Sequence, residues 1–292
     1  MKKILSKSIF VINALSISFL IASFTLTAPT QKFSLLDAIK NKTIVASVTS
    51  NGKHSGFSVD LNITNSTKSP IQIVIPAGTK YNPEDNGEQT LIQLKDEFIT
   101  LKPNGTYKGQ VAAFCTEASD RCPTESTKMN ITQNTNPKFD KLFAYLKGKN
   151  ITKTSYQDAV WAISDGYSVS NIVAENAADK AFRKEVATIT GQKNTWFTSP
   201  QAVRIDDDGN FNMETLKISG HLSFDCPKGT KVRQDIHRGN GEVFYASDRT
   251  MTAQASHVNY AFHLAVMGWE RGTYYIRIHD GTNELGKYEF TV

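Results

Sequence analysis

Ser155-Tyr156-Gln157-Asp158-Ala159-Val160-Trp161-Ala162-Ile163 is the centre of Pro137 to Gly191, the one long stretch that reads as helix, and β-rich sequence lies on both sides of it. Tyr156, Ala159, Val160 and Ile163 fall on one helical stripe, with Gln157 and Trp161 one turn apart on the adjoining stripe. Thr154 or Ser155 starts this helix, Asp158 makes an approximate capping box, and Asp165-Gly166 ends it. Before it, Phe139, Leu142, Phe143 and Leu146 repeat at helical intervals, with Asn136 as cap, Pro137 at the first helical position and Gly148 as stop. A third helix is expected from about Ser170 to Thr190, carrying Ile172, Val173, Phe182, Val186 and Ile189 and stopping at Gly191.

Outward from this centre, the N-terminal side shows strand signals at short intervals. They are Ile44 to Val48, Phe57 to Ile63, Ile71 to Ile75, Leu91 to Leu94, Phe98 to Leu101 and Tyr107 to Phe114, separated by turn residues such as Asn51-Gly52 and Pro103-Asn104-Gly105. In Phe57, Val59, Leu61 and Ile63 every second residue is apolar, so one face is buried and the other wet. Lys32 to Lys42 suggests one helical turn, and polar Thr116 to Asn136 reads as a loop leading to the helices. On the C-terminal side, strands are expected from Leu216 to Phe224, Lys231 to His237, Glu242 to Ala246, His257 to Val266, Thr273 to His279 and Lys287 to Val292, with Asn240-Gly241 and Asp280-Gly281 as hairpin signals.

Asn62-Ile63-Thr64-Asn65 followed by Ile73 to Thr79 resembles the immunoglobulin-like modules of bacterial secreted proteins over roughly residues 43–115. Gly241-Glu242-Val243 and Gly272 to Ile278 with a final strand make residues 215–292 similar to the immunoglobulin-like or fibronectin-like domains that close many such proteins, including sorting domains of the Bacteroidota secretion pathway. The expected fold is therefore mainly β with a helical segment (α+β), two immunoglobulin-like β-sandwiches flanking a three-helix region. Its parts are a leader at 1–28, a first sandwich at 40–124, the helical segment at 134–192, a linker at 193–214 and a second sandwich at 215–292.

Met1-Lys2-Lys3-Ile4-Leu5-Ser6-Lys7 and the uncharged, mainly apolar run from Ile9 to Leu26 have the layout of a secretory signal. Ala28 precedes Pro29, which disfavours cutting there, so an uncleaved anchor stays an alternative and is the only membrane contact expected. The expected location is secreted, periplasmic or cell-surface. Of the formal charge of +5, three lysines belong to the leader, and the remaining +2 gives no reason to expect a nucleic-acid partner.

Chemistry is sparse. No serine-hydrolase elbow, phosphate loop, dinucleotide fingerprint or paired-histidine helix occurs, and the six histidines lack zinc spacing, so no catalytic residue, metal or cofactor is expected. Asp206-Asp207-Asp208-Gly209-Asn210-Phe211-Asn212 invites a calcium reading, but its glycine is misplaced for an EF-hand loop and an acidic turn is expected instead. His257, Asn259 and His263 oppose an apolar set on one strand, as Tyr275, Arg277 and His279 do on another. If those strands are neighbours, the six residues form an outer face that could take an anionic glycan or a partner protein.

Of the three cysteines, Cys115 and Cys122 form the evident disulfide candidate in an oxidising compartment, while pairing of either with Cys226 stays open. Phe114-Cys115 and Tyr156-Gln157-Asp158-Ala159-Val160-Trp161 are similar to the cysteine and glutamine motifs of bacterial thioester adhesin domains. The resemblance implies that the Cys115 thiol attacks the Gln157 amide, expels ammonia and leaves an acyl group for a partner's amine. The plainer reading makes Gln157 a solvated helix residue and Trp161 a core or interface anchor. The expectation is thus a non-enzymatic binding or structural protein of the bacterial surface or envelope, with an unknown protein or glycan as partner. A thioester adhesin and a hydrolase with an unrecognised site are the alternatives.

Overall fold

Alternating apolar residues on short strands leave two unlike faces, and a strand so built is stable only where its apolar face meets another layer. In the computed structural model, which describes residues 31–85, 87–151, 154–205 and 211–292, the N-terminal half meets this need with nine strands and one short helix. They are β1 (Gln31–Ser34), α1 (Leu35–Lys40), β2 (Ile44–Asn51), β3 (Phe57–Asn65), β4 (Ile71–Ile75), β5 (Thr79–Pro83), β6 (Leu91–Gln93), β7 (Glu97–Leu101), β8 (Thr106–Cys115) and β9 (Glu125–Gln133). Six close into a barrel in the order β2-β3-β8-β6-β5-β9, while β1-β4-β7 form a separate sheet in which β1 runs parallel to β4. Val59, Leu61 and Ile63 of β3, Ile71, Ile73 and Ile75 of β4, and Val111, Ala113 and Cys115 of β8 share one core. Each fully buried Ile or Leu there contributes ~1.5–3 kcal/mol.

Strand β9 corrects the expected loop at Thr116 to Asn136. It pairs with β2 on one side and β5 on the other, and so closes the barrel. Its sequence, Glu-Ser-Thr-Lys-Met-Asn-Ile-Thr-Gln, carries only Met129 and Ile131 toward the core, so ladder pairing holds it in place of apolar alternation. The stretch from Lys32 to Lys42, read as one helical turn, holds both β1 and α1, with Ser34 capping through its hydroxyl.

The helical segment comprises α2 (Pro137–Leu146), α3 (Thr154–Ser164) and α4 (Ala177–Thr190). The Asn136 side chain accepts from the Lys138 N–H, and Gly191 ends α4 at φ 78°, in the left-handed conformation that suits glycine. The third helix was expected from Ser170. Instead, Val169–Asn171 is a 3-10 turn, and the α-helix starts after Asn176, whose side chain accepts from the Asp179 N–H. Tertiary bonds win over helical continuation here: the Ser170 hydroxyl bonds that of Ser199 at 2.6 Å, and the Ser170 carbonyl accepts from the Ser199 N–H at 2.8 Å. The second core joins all three helices to Ile92, Leu94 and Phe114, which leave the barrel on the face opposite Ala113 and Cys115. Strands β6 and β8 are therefore covered on both faces. Gly78, at φ 86°, lets the helices approach: a Cβ there would stand 2.8 Å from the Phe143 ring.

The C-terminal region contains β10 (Phe197–Thr198), β11 (Gln201–Ile205), β12 (Phe211–Thr215), β13 (Lys217–Asp225), β14 (Lys231–Arg238), β15 (Val243–Ala246), β16 (Met251–Thr252), β17 (His257–Ala265), β18 (Thr273–His279) and β19 (Glu284–Thr291). A β10-β13-β17 sheet and a β15-β14-β18-β19 sheet face each other across a third core that includes Leu222, Phe224, Ile236, Ile276 and Phe290. Residues 193–214, read as a linker, hold β10 and the β11-β12 hairpin, and Phe197 is part of this core. Arg183 of α4 ties the helices to this region by donating to the Phe197 and Thr195 carbonyls, both at 3.0 Å. The leader at 1–28 and the acidic turn at 206–210 lie outside the described residues. The fold is thus mainly β with four α-helices among the described residues, and no helix among them is long and apolar enough to cross a membrane.

Candidate functional site

Cys115 ends β8 where β3 has already turned away. Its N–H donates to the His54 carbonyl at 3.1 Å, and on the other side Leu91 of β6 is its register partner. The next residue keeps the strand edge in place, because the Thr116 N–H donates to the Thr90 carbonyl at 2.9 Å. Alternation along β8 sends Phe114 toward the helices and Cys115 into the barrel core.

Helix α3 lays its first turn across this strand end. Tyr156 meets Phe114 edge-to-face at 5.6 Å between ring centroids and Phe182 at 6.0 Å, while the Ser155 hydroxyl donates to the Val173 carbonyl at 3.0 Å. Ala159, Val160 and Ala162 are buried behind them. This docking aims Gln157 at the backbone of Cys115, 42 residues away in sequence. Gln157 Oε1 accepts from the Cys115 N–H at 3.1 Å, and Gln157 Nε2 donates to the Cys115 carbonyl at 2.8 Å. The side-chain amide thus acts as one more strand residue. Gln157 is only 7% exposed, which corrects its reading as a solvated helix residue: a buried amide needs partners, and the open end of β8 supplies them. Trp161, one turn on, is half-buried and stands 6.0 Å from the Tyr167 ring.

All three cysteines are free thiols. Cys115 and Cys122 are hydrogen-bonded neighbours without a disulfide between them, and Cys226 sits in the third core. Burial, with the Cys122 thiol second, pushes the Cys115 thiol far above the usual thiol range, so it is held protonated. Cys122 is less buried; burial raises its thiol too, while the bond from Cys115 works in the opposite direction. Asp158, beside Gln157, is pushed up to about 7 by burial. A cleft of about 240 Å³ opens nearby, lined by Thr116 and Glu117 after Cys115 and by Ser164 and Asp165 at the end of α3.

The proposed outer face of the C-terminal region divides. His257, Asn259 and His263 are on β17, beside β13, whereas Tyr275, Arg277 and His279 are on β18, between β14 and β19 in the facing sheet. They do not form one surface, because the two strands belong to different layers. Each half is engaged locally: His257 Nδ1 lies 2.8 Å from Asp225 Oδ1, His263 Nδ1 lies 3.1 Å from Ser219 Oγ, and Arg277 pairs with Glu284 at 3.5 Å. His279 Nε2 meets Asp235 Oδ2 at 2.8 Å, and Tyr275 is stacked between His237, at 4.8 Å, and the Lys287 ammonium, at 3.9 Å. Asp235 and His237 were not singled out from sequence. Their alternation along β14 was the available signal, but only the β14-β18 register brings them to this face. No group of three or more metal-ligating side chains occurs among the described residues. No protein-family model matches the chain, and no curated protein matches it.

Proposed function

We propose that this chain is an exported binding protein of the bacterial surface or envelope, built on two immunoglobulin-like modules, and that it attaches covalently through a Cys115–Gln157 thioester. The observation that carries the reading is the pair of hydrogen bonds between the buried Gln157 amide and the Cys115 backbone. It fixes an acyl donor beside a thiol in a site that excludes water, as a thioester requires to survive hydrolysis. In forming it, the Cys115 sulfur bonds to the Gln157 amide carbon, the C–N bond breaks, and the thiol proton leaves with the nitrogen as ammonia. A target's primary amine then takes the acyl group as an amide and Cys115 regains its proton. No oxidant or cofactor enters either step. The raised Cys115 thiol makes the sulfur a slow nucleophile but, once acylated, a good leaving group shielded until a target arrives.

Intact mass with peptide mapping tests this. Loss of one ammonia, cleared by methylamine with label at Gln157 and absent from Cys115→Ala, is the expected result. A reduced, folded protein that keeps its ammonia and takes up no methylamine overturns it.

A further inference from the structure

The segment from Thr116 to Thr124 departs from β8 and returns to it, and its return is pinned. The Thr90 N–H donates to Glu117 Oε2 at 2.7 Å, the Gln89 N–H to the Arg121 carbonyl at 2.8 Å, and Glu88 Oε1 accepts from both the N–H and the hydroxyl of Thr124 at 3.1 and 3.0 Å. Residues 88–90 thus hold both ends of the loop. Cys122 is set beside Gly52, its sulfur 3.7 Å from the Gly52 carbonyl oxygen, and in hydrogen-bonding contact with Cys115. The same sulfur therefore has two covalent partners within reach of one strand end: the Cys122 thiol and the Gln157 amide. A sulfur forms one such bond at a time.

We propose that Cys122 is a redox latch on the thioester site: a Cys115–Cys122 disulfide holds the protein inert, and its reduction releases Cys115 to react with Gln157. This rests on the thioester reading above. Closing the latch needs an external organic disulfide, such as oxidised glutathione or the disulfide of a thiol oxidoreductase. Cys122 is the more accessible thiol and accepts the bond from Cys115, so it is the one that attacks, releasing one reduced thiol and leaving a mixed disulfide. Cys115 then displaces the second thiol, losing its proton to it. Two protein thiols are oxidised and one external disulfide is reduced to two thiols. Opening is the reverse, with a dithiol or phosphine as reductant.

The full secreted chain, wild type and Cys122→Ser, is treated with oxidised glutathione or with a phosphine, then given methylamine, and mass and peptide maps are read. Oxidation is expected to lower methylamine labelling of wild-type Gln157 on the order of tenfold or more and to yield a Cys115–Cys122 peptide, while leaving Cys122→Ser labelling unchanged. Equal labelling of oxidised and reduced wild type overturns the latch and leaves the thioester standing. So does a Cys122→Ser protein that folds but no longer loses ammonia while reduced wild type does, since Cys122 would then assist the reaction. If neither reduced wild type nor Cys122→Ser is labelled, the thioester reading fails and takes the latch with it. Should Cys122→Ser not fold, the oxidised and reduced wild-type samples alone decide.

Discussion

The end of β8 and the outer face of the C-terminal β14-β18-β19 sheet both gather polar side chains, and they differ in where the partners come from. At β8, the amide of Gln157 crosses from a helix to a strand end 42 residues away, and both groups are buried. On the C-terminal face, Asp235 with His279, Tyr275 with His237 and Arg277 with Glu284 are near neighbours in a ladder, each answering the next. A ladder of local pairs is what any wet sheet face produces, and removing one member leaves the others largely intact. A buried contact between distant elements is costlier to arrange and more specific. That contrast directs the search for chemistry to Cys115 and away from the histidines.

The largest expected effect breaks the first half of the comparison. Gln157→Ala strips two bonds from a buried strand end and leaves the Cys115 carbonyl without its Gln157 donor, so a loss of ~2–4 kcal/mol is expected in denaturant unfolding. Gln157→Glu tests geometry against chemistry. Its shape is kept, but a carboxylate in place of the Nε2 donor faces the Cys115 carbonyl, and it has no amide nitrogen to expel. It should unfold at lower denaturant than wild type and show no ammonia loss. A variant at this position as stable as wild type would mean that the bonds to Cys115 are not holding α3 in place.

The next effect is steric and lies in the C-terminal layers. Trp196 lies flat over Gly220, so close that a Cβ there would meet the Trp196 carbonyl at 2.7 Å and its ring at 2.8 Å, and Trp196 is itself fixed by donating from Nε1 to the Glu289 carbonyl at 2.6 Å. Gly220→Ala must push backbone against backbone, and a loss of ~1–3 kcal/mol is expected from thermal unfolding. The same change at Gly166, which has nothing within 4 Å of its Cβ position, meets no neighbour and separates the clash from the loss of glycine's φ freedom.

A comparable effect with a pH signature comes from Asp158. Its carboxyl is held up near 7 by burial, while in the unfolded chain it titrates near its ordinary value of 3.8. Between those values the folded state binds more protons than the unfolded one, so stability falls as pH rises, and the penalty is complete above about 7. Asp158→Asn removes the penalty: a gain of ~1–3 kcal/mol is expected at pH 8 and little change at pH 4. A gain that is equal at both pH values would assign the effect to packing rather than charge.

The helices were legible because their signals are local. Asn136, Pro137 and Gly191 cap and stop helices at the residues where the sequence places them. The alternating strands of the first core were equally plain, since Val59, Leu61 and Ile63 repeat at the period of two. Strand β9 was not, because a strand held by pairing on both edges can be polar on most of its length. The Cys115–Gln157 contact was half legible. The two short motifs marked the residues, but the bonds between them depend on how Phe114, Tyr156 and Phe182 dock the helix, which no local pattern encodes. The split of the histidine face had no sequence signal either, since alternation tells which way a side chain points but not which strand lies beside it.

The smallest expected effects test whether the C-terminal face is as divisible as its ladder suggests. His279 and Asp235 are 10% and 16% exposed, so His279→Ala leaves a largely buried carboxylate with only the Ser247 N–H, and a loss of ~1–2 kcal/mol is expected. His257 and Asp225 have the same 2.8 Å separation but are 62% and 83% exposed, and water replaces either partner at once. His257→Ala should therefore cost no more than ~0.5 kcal/mol. Two pairs of equal length and unlike burial isolate solvent access as the variable. If both substitutions cost the same, the face does not behave as a set of independent pairs, and a shared network on it would become a reason to look for a ligand there.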